Sequence, residues 1–176
     1  MYIDAFLGDL LGAFIEWGFL MAFLFNLAIN INKTDSRVLV ISFIMMISYF
    51  ISGFVKLSIY SYLNWLYFDL LTIFVILAWM YFAKVVNFCG TTYILFGLTI
   101  NSILMLSIFI DIFIYENKSE WFLWTLYSFG VNTVDVSMIL VLLVNKDFLY
   151  LHKAYTRMFE KFSNINSMNE RHLLKK

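Results

Sequence analysis

Long apolar runs separated by short polar breaks occupy the first 145 positions of the chain, at roughly 8–31, 38–59, 64–83, 92–115 and 121–145. A hydrocarbon core takes about 20 consecutive, mostly apolar residues per spanning helix. Each run therefore predicts one transmembrane helix, and the chain as a whole predicts an all-α, polytopic membrane helical bundle with five spans. A different pattern begins after Asn145. In 146–162 the apolar residues Phe148, Leu151, Tyr155, Met158, Phe159 and Phe162 recur every three or four positions, and Lys153, Arg157 and Lys161 form a basic row on another face. That spacing predicts a basic amphipathic helix, suited to an anionic membrane surface or a partner's groove. The alternative is that span 5 simply continues as a cytosolic helix packing on its own subunit. Residues 163–176 are polar and aperiodic and predict a mobile tail.

Polar residues inside the apolar runs fall at helical spacing. In span 5, Thr125, Ser128, Asn132 and Asp135 line one stripe. In span 2, Ser48, Ser52 and Lys56 follow an i, i+4, i+8 line. Gly8, Gly12 and Glu16 do the same in span 1, and a Gly-xxx-Gly pair is a close-packing motif of membrane helices. Asp69 shares a face with Thr72 in span 3, and Ser107 with Asp111 in span 4, where Asn101 lies deeper. Lipid offers no hydrogen-bond partners, so every stripe is expected to turn inward. A charge at mid-span costs about 3 kcal/mol, which makes Glu16, Lys56, Asp69, Asp111 and Asp135 the candidate functional residues, with Ser128 and Asn132 beside the last.

Composition agrees with the class. Hydrophobic residues make up 62% and charged residues 14% of the 176-residue chain. A soluble domain carries about 25% charged residues, so there is too little polar material here to cover a soluble globule. The single Cys89 has no partner thiol and no ligand spacing, and is expected to pack as a small hydrophobe. No cofactor or metal is expected, and no nucleic-acid partner. Met1-Tyr2-Ile3-Asp4 lacks a basic leader, so a cleaved signal peptide is not expected.

The zero net charge conceals an asymmetry. With five spans, a cytoplasmic C-terminus places ten of the twelve basic residues inside and only Lys56 and Lys118 outside. Basic residues concentrate in cytoplasmic loops, so the N-terminus is expected outside and the C-terminus inside. Tyr60, Trp65, Tyr115, Trp121 and Trp124 then fall at the outer interface, where amphipathic rings are favoured. In this orientation Glu16, Lys56, Asp69 and Asp111 share one layer near the outer leaflet, and Asp135 lies closer to mid-membrane. Two readings of that layer compete. One is a water-filled outer vestibule that attracts cations, with Asp135 as a deeper ion or proton site. The other is structural: Lys56 pairs with Asp69 or Glu16 and ties helices together.

Several chemistries find no support. There is no His-Glu-x-x-His zinc pair, no glycine-flanked serine, no Gly-x-Gly-Asp and no phosphate loop. Both histidines, His152 and His172, lie in the tail, so a membrane site lacks the usual general base. No enzyme is expected. The chain has no proline and its seven glycines are scattered, so mostly straight helices are expected and an alternating-access transporter is not.

Two functions remain. The first is a non-catalytic membrane subunit, an anchor or sensor in the lipid bilayer that self-assembles as a homo-oligomer or engages a cytosolic protein through its basic tail. The alternative is an oligomeric, cation- or proton-permeable channel or transporter with an acidic outer vestibule, in which a ring of copies encloses the pore. A bias to Ile, Phe, Asn and Lys points to an AT-rich bacterial or phage-related genome and so to a bacterial inner membrane; a stress or phage-defence setting would suit either function.

Overall fold

The computed structural model describes residues 5–31, 35–117, 119 and 121–145, with positions 151, 153, 156 and 157. The bundle is all-helical. Its elements are α1 (Ala5–Asn30), α2 (Arg37–Phe54), α3 (Ser61–Phe82), α4 (Cys89–Phe109), which runs into a π-helical turn at Ile110–Ile114, and α5 (Phe122–Val144). Five helices are long and apolar enough to cross a membrane. Each packs against the next, α5 packs back on α1, and α2 meets α4 across the middle. The result is a closed ring of five helices. α4 is the most enclosed: half of its apolar window is buried, against 17% in α1 and in α2.

One half of the ring is filled and dry. Ile15, Phe19 and Ala22 of α1 meet Ile41 and Met45 of α2, Ile76 of α3, Ile94 and Leu98 of α4, and Met138, Ile139 and Leu142 of α5. Lipid is as apolar as these side chains, so close packing rather than water exclusion holds such helices together. Two glycines permit it. A Cβ at Gly97 would lie 2.5 Å from the Met138 sulfur, and one at Gly18 would lie 2.6 Å from Cδ1 of Ile139. Gly8 and Gly12 behave otherwise: a Cβ at either would meet nothing within 4 Å, so the close-packing role expected of them is not filled among the described residues.

The helix ends correct two further expectations. α2 stops at Phe54, five residues short of the span read from hydropathy, because Val55 is extended (φ −100°, ψ 121°). The Asn64 side chain takes over there, accepting the Leu57 N–H at 2.6 Å and donating to the Val55 carbonyl at 3.4 Å. Lys56 thus sits in a loop, off the Ser48–Ser52 line, and is exposed. α4 also departs from regular α geometry, widening into the π turn. That turn ends with the Tyr115 N–H on the Ile110 carbonyl, and the Asn117 N–H reaches the Asp111 carbonyl at 3.1 Å. At the opposite end of α4, the Phe88 N–H is capped by Thr91 Oγ1 at 3.0 Å.

α5 ends at Asn145, whose left-handed backbone (φ 50°, ψ 40°) breaks the helix. Asparagine tolerates this conformation better than most residues. Span 5 therefore does not run unbroken into the tail. Of the expected amphipathic helix 146–162, positions 151, 153, 156 and 157 are helical, with Lys153 and Arg157 exposed. Phe159, Lys161 and the tail 163–176 lie outside the described residues.

Candidate functional site: a one-ended polar cavity

The half of the ring opposite the dry core encloses a cavity of about 790 Å³. Its lining comes from the first half of α1, the last half of α2, the first half of α3, the last half of α4 and α5 from Trp124 to Asp135. All five contributions belong to one end of the bundle, the end bearing the α2–α3 loop. The core cluster closes the cavity below. Exposed residues, among them Gly12, Gly53, Lys56, Ile59 and Trp65, form its mouth.

Six of the seven residues singled out in the spans line this cavity: Glu16, Lys56, Asp69, Ser128, Asn132 and Asp135. Asp135 lies at the base and is 4% exposed. Its Oδ1 accepts two hydrogen bonds, from the Tyr49 hydroxyl at 2.6 Å and from Asn101 Nδ2 at 2.7 Å. These bonds join α2, α4 and α5 at a single oxygen. The Tyr49 ring is braced by Phe19, 4.3 Å away between centroids, at the boundary with the dry core. Asp69 enters from α3 and is 8% exposed. Its Oδ2 is buried without a donor, and so is Oδ1 of Asn101, which is 1% exposed. One turn further along α3, Thr72 bonds the Ser48 hydroxyl of α2 and returns a bond to the Phe68 carbonyl at 2.7 Å.

The other stripe residues have local roles. Asn132 is half-buried and donates to the Ser128 carbonyl of its own helix at 2.6 Å. Glu16 is half-buried against Gly53: a Cβ there would lie 3.2 Å from Oε1, so glycine makes room for the carboxyl. The pairing expected of Lys56 is not formed. Among the described residues the one ion pair is Arg37 with Asp35, 2.6 Å apart at the other end of the bundle. The α2–α3 loop carries Lys56 to the exposed rim, beyond the layer of the carboxyls.

Asp111 also departs from expectation and does not line the cavity. The π turn directs it to the α4–α5 connection, where Oδ2 accepts the indole N–H of Trp121 at 2.8 Å and of Trp124 at 3.2 Å, and Oδ1 accepts Asn117 Nδ2 at 3.2 Å. It is a clamp on that connection. Trp124 extends from the clamp into the cavity wall, joined by Tyr62, Trp65, Phe68 and Tyr127. Tyr62 and Tyr127 meet edge to face at 5.6 Å, bridging α3 and α5 across the ring.

Tyr49 is the site residue that sequence pattern misses, because a tyrosine between polar positions reads as part of an apolar stripe. Asn101 is visible only as a deep polar residue, without its partner. Taken together, the site offers buried oxygen acceptors at its base, aromatic walls and a mixed-charge rim. Among the described residues no three His, Cys, Asp or Glu side chains converge as metal ligands. No protein-family model matches the chain, and no curated protein or solved structure matches it.

Proposed function

We propose that this chain is a non-catalytic integral membrane protein that receives a cation in a dead-ended cavity and acts as a sensor. The observation that carries the reading is Oδ2 of Asp69, an acceptor buried without a donor on the wall of a cavity closed below by apolar packing. Leaving such an oxygen unmatched costs about 1–3 kcal/mol, and a bound cation or donor removes that cost. Three carboxyls and one ammonium line the cavity, so its field favours positive ligands.

The basic-residue distribution supports an outward-facing cavity with a cytoplasmic C-terminus. α5 carries Asp135 at the base of the cavity and leads to the segment bearing the exposed Lys153 and Arg157. In this reading a shift of α5 on occupancy carries across the break at Asn145 to a surface suited to a cytosolic partner or to a second copy of the chain. A channel is the competing reading; the apolar cluster beneath Asp135 weighs against a path through the single bundle, since a continuous path needs polar or hydrated walls at that level, and leaves a pore between copies to the flux assay.

Cation and proton flux into proteoliposomes separates the two readings. Vesicles carrying wild type or Asp135→Asn are expected to match empty vesicles under an imposed potential. Sustained flux in wild type that falls in Asp135→Asn would overturn the sensor reading in favour of the channel.

A further inference from the structure

We propose that the ligand is an organic primary ammonium, seated by its three N–H donors against Asp69, Asn101 and Asp135 with its apolar body between the aromatic walls. This rests on the cation-binding reading above and narrows it to a ligand class. Three acceptors at the base await donors. Among the described residues Oδ2 of Asp69 and Oδ1 of Asn101 are buried and unpartnered, so each side chain turns toward the cavity to meet a ligand, and Oδ2 of Asp135 makes no hydrogen bond. Asp135 Oδ1, by contrast, is already satisfied by Tyr49 and Asn101, which holds the Asp135 and Asn101 side chains in a fixed relation. An ammonium group of type R–NH3⁺ carries three donors and no acceptor, which matches this set.

The alternatives fit less well. A zinc-type transition metal wants several imidazole, thiolate or carboxylate ligands, and among the described residues no three such side chains converge. A bare monovalent ion makes no use of the walls. Those walls are large: Tyr62, Trp65, Phe68, Trp124 and Tyr127 flank the route from rim to base. Aromatic faces attract cations and pack apolar bodies. The volume also lies in the range of about 300–1,000 Å³ usual for small organic ligands.

The test is a tryptophan-emission titration of full-length protein in nanodiscs, since Trp65 and Trp124 line the cavity. Phenethylammonium chloride, 2-phenylethanol, sodium chloride and potassium chloride are the probes, followed by the N-methyl, N,N-dimethyl and N,N,N-trimethyl derivatives of the amine. A saturable response to phenethylammonium is expected, at least about tenfold tighter than to the alcohol or the salts, and weakening as methyl groups replace N–H donors. Asp69→Asn is expected to weaken it about tenfold or more. The methyl series needs no mutant, so the inference stays exposed to refutation even if Asp69→Asn misfolds. Equal or tighter binding of the trimethyl derivative would overturn the hydrogen-bonded ammonium. A saturable response to sodium or potassium with none to the amine would overturn it too while leaving the cation-binding reading intact. No saturable response to any probe would remove both.

Discussion

Tyr49 of α2 donates its hydroxyl proton to Oδ1 of Asp135 on α5 across 2.6 Å, linking two helices 86 positions apart in sequence at the floor of the cavity. The same oxygen takes Asn101 Nδ2, so the floor is a three-helix junction. Tyr49→Phe removes one donor and keeps the ring against Phe19. Hydrogen bonds between membrane helices average about 0.6 kcal/mol and reach about 1.7. A loss of about 1 kcal/mol is expected in reversible unfolding in mixed micelles, and Tyr49→Phe combined with Asn101→Leu is expected to be non-additive, because both act on one oxygen. Additive losses would show that the two donors do not share Asp135.

The glycines divide into two groups. Gly97→Ala pushes a methyl group into Met138, and Gly18→Ala pushes one into Ile139. Each is expected to cost about 1–3 kcal/mol, less where the long side chain swings aside. Gly8→Ala and Gly12→Ala meet nothing within 4 Å and are expected to stay within about 0.5 kcal/mol of wild type. Thermal midpoints of the four purified variants check this. A midpoint lowered by Gly8→Ala or Gly12→Ala would contradict the open space that the cavity leaves beside both glycines.

Lys84 follows α3 in the left-handed region at φ 50°, where a side chain costs about 1–2 kcal/mol and glycine costs little. Lys84→Gly is expected to raise stability by a few tenths to about 1 kcal/mol, net of the freedom glycine adds to the unfolded chain. Lys84→Ala keeps the Cβ and is expected to give no such gain. The comparison of the two unfolding midpoints isolates the backbone contribution from the loss of charge.

How much of this was legible in the sequence follows from the range of each interaction. Five apolar runs specify five helices because length and hydropathy are local properties. The inward stripes are equally local, and Glu16, Asp69, Ser128, Asn132 and Asp135 do converge on one cavity. The end of α2 was not readable, since it depends on Asn64 bonding back to Val55 and Leu57 across the loop. Nor was the π turn, which no glycine or proline announces and which sends Asp111 to two indoles instead of to the cavity. Tyr49 was hidden for the same reason: its importance lies in a contact with Asp135 that no spacing encodes.

Orientation is open to a chemical test. In a Cys89→Ser background, Ser52→Cys and Asn132→Cys put thiols on the cavity wall. A membrane-impermeant, positively charged thiosulfonate added to intact cells is expected to label both, because the cavity faces outward in the proposed topology. Labelling only after permeabilisation would invert the bundle.

The central claim is that a cation occupies the space beside Asp69, and carbodiimide modification of that carboxyl addresses it most directly. Full-length protein in nanodiscs is treated with dicyclohexylcarbodiimide, with and without saturating phenethylammonium chloride, and the Asp69 adducts, the acylurea together with any phenethylamide formed when the amine attacks the activated carboxyl, are summed by peptide mass spectrometry. The account predicts an adduct at Asp69 that falls several-fold when the amine is present and is unchanged by 2-phenylethanol. An Asp69 adduct of equal yield under all three conditions would contradict it.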